Sequence, residues 1–342
     1  VGLIDRLDRE RFAPALLTLR ESLPELDPAD CERLAWNVPR LLSPSGLRSC
    51  RALTRWLRDH DVQAVHAFFQ DSTLFAGIAA ARAGVPVRAA GFRDLGFWRT
   101  PVQTALMRLA YPRFNRYVAN SEVVREYFRR EFRLRPERMA VIRNGFDTAA
   151  HPFVEHAGPV RNVAIVGNLN RPVKRVDLFV RAAGLLHAEF PDVIWHVFGD
   201  GHLRPRLEAL AGEAGAGPAV RFHGRVDDVG TRLGEMQIGV NCSDSEGFSN
   251  AVVEYMLRGC AVAATDAGGN AEAVEDRERG VLVPTDDAGG LAAGLRDLLT
   301  DEELRRRVAA TARSWAVGEL DWSACVEAHQ ALYSGESRNQ RR

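Results

Sequence analysis

Ser243-Asp244-Ser245-Glu246-Gly247-Phe248-Ser249-Asn250 leads from an apolar run, Ile238 to Asn241, into a helical pattern that carries Glu254. One carboxylate on a turn and a second about a turn into the following helix can flank one ligand, the second accepting hydrogen bonds from sugar hydroxyls. Ser249 and Asn250 are both good N-caps. A helix starting at either leaves its first N–H groups free, where the dipole favours a phosphate. The plainer alternative makes Glu246 a loop charge and Glu254 a solvated helix residue.

A second loop points the same way. Gly167-Asn168-Leu169-Asn170-Arg171-Pro172-Val173-Lys174-Arg175 follows the apolar run Val163 to Val166, and of the 45 basic residues Lys174 is the only lysine. An ammonium is a compact charge that fits between phosphate oxygens where a guanidinium is too wide. Arg171, Lys174 and a helix N-terminus near Ser249 would hold one diphosphate and stabilise the charge that grows as it leaves. The alternative is a solvated charged loop. Neither a dinucleotide fingerprint nor a P-loop is present. The glycine turns Gly199-Asp200-Gly201, Gly224 before Arg225, and Gly268-Gly269-Asn270 each follow a strand pattern and let the backbone approach a ligand. Earlier in the chain, His66 lies near the end of a strand pattern, and Arg93 and Asp94 lie in a loop after another. His66 reads equally as a satisfied, partly buried histidine. No histidine pair has metal spacing and no D-x-D follows a strand, so no metal is expected.

These residues need a scaffold, and 342 residues suffice for two domains. Lys+Arg and Asp+Glu both number 45, which gives no field to attract nucleic acid. The five cysteines form no C-x-x-C, and no run is long and apolar enough to span a bilayer. Without a signal-peptide pattern either, the cytoplasm is the expected location. Strand and helix patterns alternate through both halves, which predicts an α/β protein with parallel sheets and ligands at their carboxyl edges. Val1 to Asp8 reads as the end of a helix and Phe12 to Leu19 as a strand, with no Gly-rich opening turn, so the first βα segment of the domain is expected to be missing. Asp27 to Ser45 reads as irregular. The reading divides the chain into domains at 1–150 and 151–318, with Thr148 to Arg161 as linker, and a last helix with a polar tail over 319–342, set off by a break at Gly318.

The segments VGNLNRPVKRVDLFVRA, FGDG, FHGRVDDV, SEGFSNAVVEYMLRG, ATDAGGNAEAV and GVLVPTDD occur here in the order found in retaining glycosyltransferases of family 4. In the first half VANSEVVREYF, VIRNGFD and GFRDLGFW match as well. The chain resembles that family over nearly its whole length. The resemblance implies a GT-B fold, two Rossmann-like domains facing a central cleft, the second binding a nucleotide-sugar and the first the acceptor, with the last helix packing back toward the first domain.

On the same resemblance Glu254 holds the nucleotide ribose and Glu246 contacts the donor sugar, while Gly247, Phe248, Ser249 and Asn250 present backbone amides. Arg171 and Lys174 form the diphosphate clamp, although the family's usual arginine position is Asn168 here. Gly199, Asp200, Arg225 and Val226 complete the donor side. His66, Arg93 and Asp94 stand on the acceptor side, the last two where many relatives carry a histidine. The implied reaction moves a hexosyl-type sugar from a UDP- or GDP-sugar to a glycan or lipid-linked acceptor with retention, needing neither cofactor nor metal. An epimerase or hydrolase of the same fold, and a non-catalytic nucleotide-sugar-binding protein, are the alternatives. Phe97, Trp98 and the basic residues Arg99, Arg108, Arg113 and Arg116 offer peripheral contact with the inner face of a membrane, or else a solvated face.

Overall fold

The computed structural model describes residues 2–20, 30–36, 38 and 43–335. The chain forms two compact units, one running to Gly145 and resuming at Trp322, the other from Phe146 to Asp321. In the first unit helix α1 (Gly2–Asp5) precedes strand β1 (Ala15–Thr18), which pairs in parallel with β2 (Glu32–Ala35). That second strand lies inside the stretch expected to be irregular. Its charged sequence has little strand propensity, and pairing with β1 supplies what propensity does not. Residues 27–29, 37 and 39–42 of that stretch lie outside the described residues, as does the polar tail from 336.

Helix α2 (Pro44–Asp59) starts ahead of its apolar stripe because Ser43 caps it, accepting from Gly46 N at 3.1 Å, with Pro44 as the first helical residue. Then β3 (Ala64–Phe68), α3 (Gln70–Ala83), β4 (Val87–Phe92), α4 (Pro101–Ala110), β5 (Arg116–Ala119), α5 (Glu122–Phe132) and β6 (Met139–Val141) alternate. The four strands form one parallel sheet in the order β3-β4-β5-β6. Stacking of Phe92 on Phe128, centroids 4.0 Å apart, fastens α5 to the sheet.

The second unit contains β7 (Asn162–Val166), α6 (Val176–His187), β8 (Ile194–Phe198), α7 (Arg204–Glu213), β9 (Val220–Gly224) and α8 (Val229–Leu233). It continues with β10 (Ile238–Asn241), α9 (Asn250–Arg258), β11 (Ala261–Thr265), α10 (Asn270–Val274), β12 (Val281–Val283), α11 (Ala288–Thr300) and α12 (Glu302–Glu319). Side chains alternate between the sheet's two faces. Val163, Ile165, Trp195, Val197, Ile238 and Val240 pack with α6 and α11, whereas Ala164, Phe198, Val262 and Ala264 pack with α9 and α12. Burial on both faces explains why these strands read as continuous apolar runs. The strand order is β12-β11-β10-β7-β8-β9, all parallel. The chain leaves β7 in one direction and returns to β10 on the other side, so β7 and β10 flank a topological switch point, the place where such sheets hold ligands.

Helix α12 does not break at Gly318. Ala312, Ala316 and Leu320, four apart and fully buried, keep packing through it, which outweighs the roughly 1 kcal/mol that one glycine costs a helix. The chain turns instead at Leu320 and Asp321, where Phe146 N donates to Leu320 O at 2.8 Å. Helix α13 (Trp322–Tyr333) belongs to the first unit: Trp322 fills space that a Cβ on Gly2 or Gly145 would overlap, and Tyr333 Oη lies 2.9 Å from His66 Nδ1.

Each unit buries a histidine that resists protonation. Burial, His223 and Arg221 depress His196 from 6.5 to about 4, and burial and Arg93 depress His329 to about 4. A base whose folded pKa is lowered leaves the unfolded chain binding more protons, so stability should fall as pH drops from about 6.5 toward 4. Melting temperatures should therefore decline between pH 7.5 and 5, and the decline should flatten in a His196→Gln, His329→Gln double variant.

Candidate active site

The loops after β7 and β10 meet at the switch point. The short turn Pro172–Lys174 closes on Arg171 O, and Asp244 N donates to Val173 O at 2.9 Å, which stitches one loop to the other. Lys174 Nζ donates to Glu246 Oε1 at 2.6 Å, with the Glu246 side chain 10% exposed and that of Lys174 28%. The same oxygen accepts from Ser243 Oγ at 2.6 Å and from Asn241 Nδ2 at 3.3 Å. Asn241 Nδ2 also donates to Ser249 Oγ at 2.9 Å, and Asn270 Nδ2 donates to Asn241 Oδ1 at 3.1 Å. Asn241, Ser243, Thr265 and Asn270 are all buried, and Thr265 Oγ1 donates to Ser243 O at 2.6 Å. A buried polar network of this kind fixes one orientation of the Glu246 carboxylate, although Asn270 Oδ1 within it has no partner among the described residues.

Two further features hold the loops. Arg175, at φ 46, bonds Asp177 at 3.1 Å, Asp244 at 3.0 Å and Asp286 at 2.7 Å, and these bonds, Asp177's first, push its pKa up. Gly268, at φ 56, lies so close to Glu246 O that a Cβ would overlap it, and Gly269 N donates to the same carbonyl at 3.2 Å. At φ 131 Gly199 stands equally close to Gly167 O. These glycines bring strand-end loops against one another.

Ser249 caps α9, accepting from Val252 N at 3.5 Å. Among the described residues the N–H groups of Gly247, Phe248 and Ser249 have no acceptor, while Asn250 opens the helix and Phe248 is buried in the core. Glu254 is half-buried, its side chain has neither hydrogen bond nor ion pair among the described residues, and burial raises its pKa. That is not a solvated surface glutamate. Arg171 and Arg225 are exposed without side-chain partners among the described residues. Val226 packs against the core, and Asp200 Oδ1 accepts from Gly201 N at 2.8 Å while its Oδ2 faces Arg204 at 3.8 Å.

In the first unit His66 and Arg93 converge on Phe68. The two rings are 4.1 Å apart, the guanidinium lies 5.1 Å from the Phe68 centroid, and Arg93 also bonds Asn144. Burial, then His329 and Arg93, holds the His66 pKa well below its usual value. Asp94 instead closes its own loop, accepting from Gly96 N at 2.7 Å and Trp98 Nε1 at 3.1 Å. Asn241, Ser243, Thr265, Asn270 and Arg175 were not found from the sequence. A polar residue ending an otherwise buried apolar strand, as Asn241 and Thr265 do, is the signal that marks two of them.

Among known families, a model described as Glycosyltransferase Family 4 matches residues 1–150, and one described as Glycosyl transferases group 1 matches residues 160–301. The chain is 30% identical over 149 residues to the lipopolysaccharide core biosynthesis glycosyltransferase LpsE of Rhizobium meliloti, covering 44% of each chain. It is 32% identical over 181 residues to the phosphatidyl-myo-inositol mannosyltransferase of Mycobacterium tuberculosis, covering 51% of this chain and 47% of that one. The chain thus spans about half the length of the curated relatives it matches. Among solved structures, a glycosyltransferase of Rickettsia africae superposes with a TM-score of 0.81 at 16% identity, covering 96% of this chain and 91% of that one. Anabaena HepE in complex with UDP gives 0.76 at 20% identity, covering 89% and 86%. Fold and family models agree on both units, and the chain belongs to the family 4 type of GT-B glycosyltransferases.

Proposed function

We propose that this chain transfers a hexosyl-type sugar from a nucleotide-diphosphate-sugar to a glycan or lipid-linked acceptor, with retention and without a metal. The observation that carries the reading is the ion pair of Lys174 and Glu246 at the switch point, set beside unpaired N–H groups and a half-buried, partnerless Glu254. Glu254 takes the ribose hydroxyls and Glu246 the donor sugar. Lys174, Arg171 and the α9 N-terminus carry the charge that develops as the diphosphate leaves. The leaving oxygen takes the acceptor proton on the same face, and configuration is retained. HepE structures with UDP and with UDP-glucose support a UDP-sugar as the first donor to test.

On the acceptor side, Phe97, Trp98, Val102 and Leu109 are exposed around α4, and Arg113 beside them is also exposed. An apolar face with aromatic and basic neighbours suits the surface of a bilayer that carries a lipid-linked acceptor. No helix among the described residues is long and apolar enough to cross one.

UDP- and GDP-sugars offered with methyl glycosides and with polyprenyl-phosphate-linked sugars test the reading. The expected product is a glycoside with the donor's anomeric configuration, formed at a rate that a chelator does not change. Free sugar as the only product, or an inverted anomer, would overturn it.

A further inference from the structure

We propose that Phe69 is an aromatic platform on which the ring of an acceptor sugar stacks, at the carboxyl end of β3. The residue has φ 66 and ψ 165, a region that is essentially glycine's, and it is 68% exposed. Phenylalanine is thus doubly unfavourable here. Its Cβ strains the backbone, and its ring gains almost no burial in return. The conformation is held by others: Thr73 N and Thr73 Oγ1 both donate to Phe69 O, at 3.0 and 2.6 Å, and Ser72 Oγ donates to the preceding carbonyl. Strain that the surroundings over-determine, at a sheet's carboxyl edge, is where a function is to be sought.

The surroundings fit a sugar. A pyranose presents a face of C–H groups to an aromatic ring and hydroxyls around its rim. On the next residue, Gln70 Oε1 is shielded from solvent with no hydrogen-bond partner among the described residues, and on the preceding one the Phe68 ring lies 5.1 Å from the Arg93 guanidinium. An exposed aromatic ring, followed in the chain by an amide oxygen with no partner, supplies the apolar platform and the hydroxyl acceptor expected of a carbohydrate subsite. The assignment rests on the first unit serving the acceptor, as proposed above, and it names the residue that holds the sugar.

Saturation-transfer NMR with methyl α-glucoside, α-galactoside and α-mannoside tests it without requiring turnover, so a failure of the transfer reaction would be recognised separately. At least one glycoside should receive saturation on its ring C–H groups in the parent protein. That signal should fall about fivefold or more in Phe69→Gly and persist in Phe69→Tyr. Glycine removes the strain at this φ, so the melting temperature of Phe69→Gly should hold or rise. Affinity for UDP should be the same in all three proteins. The proposal is overturned if no glycoside binds the parent, if binding survives in Phe69→Gly, if that variant melts several degrees lower, or if UDP affinity falls, since the ring would then serve the fold or a nucleobase.

Discussion

Lys174→Ala should lower turnover by about 10²-fold or more, the usual consequence of removing one preorganised group that stabilises a developing negative charge. It should also lower the melting temperature. Lys174 donates to Glu246 at 2.6 Å, and the Glu246 side chain is 10% exposed, so alanine leaves a nearly buried carboxylate with only Ser243 and Asn241 as partners. A charge-assisted hydrogen bond at such a site contributes about 1.5–3 kcal/mol, which corresponds to several degrees in a unit of this size. Lys174→Arg separates the two roles. A guanidinium can still reach Glu246, so most of the melting temperature should return, but it is too wide for the space between two phosphates, so turnover should not. If arginine restores both, the lysine is a structural partner of Glu246 and not part of the diphosphate clamp. Thermal melts and donor turnover on the same three proteins decide the matter.

How far the sequence carried can be judged at this same pair. The alternating strands and helices of the second unit are legible because its central strands, β7, β8, β10 and β11, are buried on both faces, and Lys174 and Glu246 mark the loops that follow β7 and β10. The contact itself was not legible. Lys174 and Glu246 are 72 positions apart, and only the return of the chain from β9 to β10 brings them to 2.6 Å. Arg175 illustrates the same limit: in sequence it is one arginine beside another cation, whereas in the fold it ties three aspartates from separate segments. In the first unit β2 escaped notice because its stability comes from β1 and not from its own residues. Tyr333 and His329, which enclose His66, arrive on a helix more than 260 positions further along the chain. Periodicity reports which face a residue takes within its own element, and these contacts depend on which elements become neighbours.

The two glutamates should respond in opposite senses to the same substitution. Glu254 is half-buried without a partner, and burial raises its pKa, which means that its charged form destabilises the fold above the ordinary carboxylate range. Glu254→Gln removes that charge, so at neutral pH the melting temperature should rise. Donor affinity should fall, because a carboxylate accepting from two ribose hydroxyls makes bonds of roughly 1.5–3 kcal/mol each, and the amide keeps only part of them. A loss of about 1.4 kcal/mol is tenfold, the least expected here. Glu246→Gln gives the reverse pattern: it breaks the ion pair with Lys174, so the protein should melt at a lower temperature, and with the sugar as its partner turnover should fall more than nucleotide affinity. Titration with free UDP and GDP, which carry the ribose and diphosphate but no sugar, isolates the first effect. For whichever nucleotide binds the parent, Glu254→Gln should weaken it at least tenfold and Glu246→Gln by much less. Equal losses in the two variants, or a Glu254→Gln protein that binds the nucleotide as the parent does, would refute the assignment of ribose to one carboxylate and sugar to the other.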